Sequence, residues 1–147
     1  KKNPNYLSQH QMEWDGKNVR QKPGPDNSLG LVKFLFPNSY NIYLHDTPAK
    51  SLFGESDRAF SHGCIRLAGA EKLANYLLQN DRAWTPKKIN DAMNAGKEKF
   101  VSRNNPEPVF IAYFTCWVDR QGRLNFRKDA YGRDNALAAL LLNKKAL

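Results

Sequence analysis

The run Val109-Phe110-Ile111-Ala112-Tyr113-Phe114-Thr115-Cys116-Trp117-Val118 is apolar in both registers of a strand. Val109, Ile111, Tyr113 and Trp117 fall on one side of the period-two alternation, and Phe110, Ala112, Phe114 and Val118 on the other. A strand apolar on both faces is covered on both, so the spacing predicts a central strand packed on two sides. Asp119-Arg120-Gln121-Gly122 then turns the chain into a hairpin partner over residues 124–127. Residues 135–142 follow as a short helix.

Working back from that strand, a helix is punctuated by Thr85 as N-cap, Pro86 in its first turn and Gly96 just past its end. Ile89, Ala92 and Met93 are its apolar stripe, read as core. Ala70, Leu73, Ala74 and Leu77 recur at helical spacing and predict a helix over residues 70–78. Residues 30–36 read as a buried strand stopped by Pro37-Asn38, and residues 40–45 as the next one. Alternation in the latter groups Tyr40, Ile42 and Leu44 against Asn41, Tyr43 and His45, which aims His45 at a cleft. The loop over residues 46–60 is long enough to suspect function. Pro4, Gly16, Pro23, Gly24 and Pro25 break up residues 1–26, which read as irregular with one short element around residues 6–12. With no repeat, low-complexity tract or linker, residues 1–147 read as a single mixed α+β domain with a sheet at its heart.

Composition agrees with that reading. The chain has 147 residues, 41% hydrophobic and 25% charged, which excludes disorder, collagen-like structure and a small disulfide scaffold. No apolar run approaches the ~20 residues of a membrane span. Mean hydropathy is −0.69, and the expectation is a soluble domain. Net charge is +9, from 23 Lys and Arg against 14 Asp and Glu, a balance that favours polyanionic partners. The basic residues never run more than two together, which argues against a nucleic-acid arm and for a solvated basic surface. A first residue of Lys1 rather than Met predicts a processed or excised segment.

The chemistry concentrates in Phe60-Ser61-His62-Gly63-Cys64-Ile65-Arg66-Leu67. Gly63 permits a tight turn before Cys64, and the backbone N–H groups ahead of the following helix can stabilise an oxyanion and lower the thiol pKa. Arg58 and Arg66 add positive charge that favours the thiolate. A thiol nucleophile needs a base, for which His45 and His62 are the candidates, His10 lying in the irregular N-terminal stretch. Three plainer readings compete. A buried structural thiol suits Cys116 on the apolar strand, but not Cys64 among Ser61, His62, Gly63 and Arg66. A Cys64–Cys116 disulfide stays open on sequence and is not the preferred reading. His45, His62 and Cys64 match no metal-ligand spacing, so no metal and no cofactor are expected.

His45 followed nineteen positions later by Cys64 in Ser61-His62-Gly63-Cys64 resembles the signature of the YkuD-type L,D-transpeptidases of the bacterial cell wall. The match is complete through Ile65, and Arg66 takes the place that Asn holds in many members. Pro25-Asp26-Asn27-Ser28-Leu29-Gly30 resembles the family segment ahead of the strands leading to that His. Tyr43-Leu44-His45-Asp46-Thr47-Pro48, Arg58-Ala59-Phe60 and Ala130-Tyr131-Gly132-Arg133-Asp134 are similar to the large Gram-negative periplasmic subgroup.

The resemblance implies a mostly β, sandwich-like fold that lacks its N-terminal strands here, those strands being one expected partner. It implies Cys64 as nucleophile and His45 as base, the ring oriented by a backbone carbonyl at Asp46. Gly63, Cys64 and Tyr43 would form the oxyanion hole, while Ser61, His62, Arg66 and Tyr43 would bind substrate. The substrates so implied are peptidoglycan stem peptides, a donor tetrapeptide and an acceptor diaminopimelate amine, joined in a 3→3 cross-link with loss of D-Ala. A periplasmic location follows from the same resemblance. The rival expectations are a hydrolytic member of the family and a silent wall-binding module; nucleic acid is not an expected partner.

Overall fold

A computed structural model describes residues 5–61, 63–103 and 105–142, in two compact units, Lys1–Pro106 and Glu107–Leu147. In the first unit a short helix α1 (Tyr6–Gln9) leads into an antiparallel hairpin of β1 (Met12–Asp15) and β2 (Asn18–Gln21). Gly16 takes a φ of +62° at its turn. The expectation of irregular structure here is corrected: Gly16 opens a two-residue turn, Gly16-Lys17, between the paired Asp15 and Asn18. Arg20 bridges the two strands to Glu13 at 3.0 Å and reaches Glu98 at 2.8 Å. Glu98 in turn pairs with Lys33 at 3.0 Å, tying the hairpin to the next sheet.

That sheet has three short strands in the order β3 (Lys33–Phe34), β4 (Leu44–His45) and β5 (Ile65–Arg66). β3 runs antiparallel to β4 with Lys33 opposite His45, and β4 runs parallel to β5 with His45 opposite Arg66. The strand expected over residues 40–45 is therefore only its last two residues. Asn38 is the reason. Its amide donates to the carbonyls of Phe36 (3.0 Å) and Ile42 (2.7 Å) and its oxygen accepts from the N–H groups of Tyr40 and Ile42 (3.0 Å each). Four local bonds to one side chain outcompete a ladder, and Asn41 turns with a φ of +54°. The crossover from β4 to β5 holds a 3₁₀ turn, Lys50–Gly54, inside the segment expected to be loop.

Helix α2 (Ala70–Leu78) lies where its spacing puts it, and α3 (Pro86–Met93) starts at Thr85, whose hydroxyl accepts the Lys88 N–H at 3.3 Å. The two pack together, with Ala70, Ala74 and Ile89 forming the buried apolar centre of the unit.

In the second unit β6 (Cys116–Val118) and β7 (Leu124–Phe126) form an antiparallel ribbon, followed by α4 (Asp134–Leu142). The turn between them is built on Asp119, whose carboxylate accepts the N–H groups of Gln121 and Arg123. The central strand expected over residues 109–118 is corrected to its last three residues. Phe110 is 90% exposed, and Val109, Ile111, Phe114 and Val118 are exposed with it. Tyr113 and Thr115 are held instead through their hydroxyls, to Asp129 at 2.7 Å and Asp134 at 2.6 Å, and within this unit the described sheet is a ribbon of two strands. Cys116 is likewise exposed rather than a buried structural thiol.

An α+β composition holds. Among the described residues the helices carry more of the chain than the strands, which are two to four residues long and fall in three separate sheets.

Candidate active site

The site is built where parallel β4 and β5 end side by side. Ile65 N–H donates to the Tyr43 carbonyl at 3.0 Å and Leu67 N–H to the His45 carbonyl at 2.8 Å. This register sets Cys64 beside Tyr43 and Arg66 beside His45. Side chains two apart on a strand share a face, so Tyr43, His45, Cys64 and Arg66 gather on one side of the sheet. The ring centroids of Tyr43 and His45 are 5.9 Å apart. The Tyr43 hydroxyl lies against the Cys64 thiol; burial and that neighbouring thiol push its pKa above the ordinary value. Tyr43 is therefore a neutral phenol near pH 7, an O–H donor beside the sulfur.

Cys64 Sγ also stands 4.0 Å from the Asn41 carbonyl. Tyr40, Asn41 and Ile42 form one wall of an open cleft of ≈ 390 Å³, and Ser61, Gly63 and Cys64 form the other. Asn38, through its four bonds, shapes the first wall. Ser61 shapes the second: its hydroxyl donates to the Cys64 carbonyl at 2.6 Å and accepts the Gly63 N–H at 3.3 Å. Gly63 has a φ of +146°, open to glycine and strained for other residues, which explains Gly at the position before the cysteine. His62 lies outside the described residues.

His45 is 4% exposed, and Asp46 and Thr47 after it are buried too. Buried polar groups need partners, and these are abundant. His45 Nδ1 meets the Asp46 carbonyl. A carbonyl only accepts, so Nδ1 carries the proton and Nε2 keeps the lone pair of a base. The Asp46 carboxylate accepts Leu31 N–H at 3.0 Å and Lys50 Nζ at 2.5 Å, and Asp46 N–H donates to the Val32 carbonyl at 2.9 Å. Burial works to raise the Asp46 pKa, but Lys50 and the Leu31 and Thr47 amides outweigh it and hold the carboxyl below its ordinary value. Gly30, at a φ of +63°, makes room for this carboxylate, since a Cβ there would collide with it.

Of the residues singled out from sequence, Tyr43, His45, Cys64, Arg66, Ser61 and Gly63 thus come together around one cleft and sheet end. Among the described residues no direct hydrogen bond joins His45 to Cys64; Tyr43 touches both. Arg66 Nε is buried without a hydrogen-bond partner among the described residues. Cys64 and Cys116 are both free thiols. Sequence reasoning missed the wall made by Tyr40, Asn41 and Ile42, and the Lys50–Asp46 pair. Asn38 before a short polar turn was the available signal for the wall, and the i, i+4 spacing of Asp46 and Lys50 for the pair.

The sequence model described as YkuD, L,D-transpeptidase catalytic domain, matches residues 1–111. A protein of Haemophilus influenzae named "Putative L,D-transpeptidase" is 32% identical over 164 residues, an alignment covering 97% of this chain and 33% of that protein. The chain spans about a third of the length of this curated relative.

Proposed function

Because the chain belongs to the YkuD family of L,D-transpeptidase catalytic domains, we propose that it is a cysteine acyltransferase acting on peptidoglycan stem peptides in the periplasm. The observation that carries this reading is Tyr43 lying beside both His45 and Cys64, with Cys64 itself lining the cleft.

In the first half-reaction the Cys64 sulfur attacks the carbonyl joining the L-centre of diaminopimelate to D-Ala. His45 Nε2 takes the thiol proton. The carbonyl oxygen becomes an oxyanion, met by the Cys64 N–H, the Gly63 N–H turned from Ser61, and the Tyr43 phenol. The C–N bond breaks as His45 returns its proton to the leaving D-Ala amine, and a thioester remains on Cys64. In the second half-reaction the amine of a neighbouring diaminopimelate attacks the thioester, His45 accepts its proton, and the thiol leaves with a 3→3 cross-link formed. Arg66, with a buried Nε free of protein partners among the described residues, offers its guanidinium to a stem carboxylate, Ser61 lines the cleft wall beside Cys64, and His62 is assigned to substrate binding from the motif alone.

Ser61 and Gly63 are exposed and Cys64 is half-buried, so water is a competing acceptor, and hydrolysis to a tripeptide is the second reading. Mass spectrometry of the products from purified disaccharide-tetrapeptide separates the two. Free D-Ala with a dimer lacking one D-Ala is the expected result. Free D-Ala with monomeric tripeptide alone would establish the hydrolytic reading, and no turnover would overturn both.

A further inference from the structure

Lys50 takes no part in the chemistry above, yet it sits where the base strand and the nucleophile strand leave the sheet. An ammonium has three N–H donors, and Lys50 uses all three: Asp46 Oδ1 at 2.5 Å, Leu67 O at 3.1 Å and Ala68 O at 3.2 Å. The first partner follows His45 directly; the other two follow Arg66 directly. One side chain from the 3₁₀ turn therefore staples the ends of β4 and β5 to each other. The Asp46 carboxylate that it grips is also fixed by Leu31 N–H, in a space that exists because position 30 has no side chain. Both carboxylate oxygens of Asp46 are thus held, and its backbone carbonyl is the group that meets His45 Nδ1.

We propose that Lys50 is a positioning residue for His45, acting in two ways. It holds the Asp46 carbonyl where it orients the imidazole, and it neutralises the carboxylate buried on that same residue. The proposal rests on the reading of His45 as base and Cys64 as nucleophile. A lone carboxylate beside an imidazole stabilises the imidazolium and would spoil a base required in its neutral form. With Lys50 in place the pair carries no net charge toward the ring. The other groups facing His45 are Lys33 across β3, already paired with Glu98, Arg66 across β5, and Tyr43 and Cys64 on the cleft side. None of these groups is removed or changes its charge when Lys50 is substituted, and adding Asp46→Asn separates the Asp46–Lys50 charge from any shift of Arg66.

The test is an NMR titration of the His45 ring in the full chain. The Cys64→Ser background is used so that thiol ionisation does not overlap, and the signal is assigned with His45→Ala. Lys50→Met is expected to raise the His45 midpoint by roughly 0.5–1 pH unit, the effect of an unpaired charge a few ångströms away. Lys50→Arg keeps the charge and is expected to stay within about 0.2 unit, and Asp46→Asn with Lys50→Met to return most of the shift. A midpoint unmoved by Lys50→Met overturns the proposal, as does a shift that Lys50→Arg fails to prevent. If Lys50→Met does not fold, Lys50→Gln carries the same expectation; loss of the fold in both makes Lys50 a structural residue and overturns it as well. A parallel measurement guards the underlying reading: alkylation of Cys64 by iodoacetamide, with and without His45→Ala. Equal rates there would remove His45 as the base while the titration still reports on Lys50, so the two failures are distinct.

Discussion

The end of β4 and the ribbon of the second unit bury opposite things. At β4 three polar residues, His45, Asp46 and Thr47, are buried, and the strand's neighbours bond them closely. In the second unit Phe110, Phe114, Val118, Leu124, Phe126 and the leucines of α4 are exposed, and the specific contacts run through Asp119, Asp129 and Asp134. Burial follows the number of elements that converge on a place rather than the apolarity of the residues there. Around His45 converge β3, β5, the 3₁₀ turn and the chain before β3 at Leu31. Within the second unit, among the described residues, residues 109–118 have one three-residue partner strand and the start of a helix. A site for proton transfer needs the first kind of setting, where geometry is over-determined and water is displaced from the base.

The sharpest break between the two regions is expected at their cysteines. Cys64→Ala should abolish D-Ala release from tetrapeptide with the circular dichroism spectrum unchanged, whereas Cys116→Ala, at the exposed thiol, should leave the rate within about twofold. His45→Ala comes next, with a loss of roughly 10²–10⁴ in kcat, the usual contribution of a positioned base.

Gly30→Ala follows. It combines a positive φ with a clash against Asp46, and should cost roughly 1–3 kcal/mol in urea unfolding and slow Cys64 alkylation. By contrast Phe110→Ser, at a side chain 90% exposed, should change stability by no more than about 0.5 kcal/mol despite its far larger loss of apolar surface.

Acid sharpens the comparison further. A carboxyl held below its unfolded pKa contributes stability that is present above the unfolded value and is lost as pH falls through the folded one. Asp46 titrates below 3.8, so the support of His45 should weaken as pH drops below about 4. Asp129 in the second unit is lowered to about 2, chiefly by the Asp134 N–H and the Tyr113 hydroxyl, so the contacts that start α4 should persist as pH falls below 3.8 and be lost near 2. Carboxyl titration by NMR checks both, and a midpoint for Asp129 near the ordinary 3.8 would contradict its contacts.

What could be read from the sequence alone follows the same division. Helices α2, α3 and α4 and the turn at Asp119 depend on neighbours a few positions away: the Ala70–Ala74 stripe, the Thr85 cap, the Gly122 turn. Such signals are legible one segment at a time. The Ser61-Gly63-Cys64 turn was legible as a motif: Gly63 holds a backbone strained for other residues, and the Ser61 hydroxyl closes the turn on the Cys64 carbonyl. Three features were not. Asn38 diverts residues 38–42 from a strand by satisfying their backbone groups, although alternation there is good. Lys50 reaches carbonyls seventeen and eighteen positions away, which no local pattern encodes. Residues 109–118 carry the apolarity of a central strand, but apolarity shows only that a segment suits burial, not how many elements surround it.

The central claim is that Cys64 carries the acyl group, and intact-mass spectrometry of the chain mixed with disaccharide-tetrapeptide tests it most directly. The account predicts an adduct of the donor less D-Ala, mapped to Cys64 and absent in Cys64→Ala. D-Ala released by Cys64→Ala, or an adduct on Cys116 with Cys64 unmodified, would contradict it.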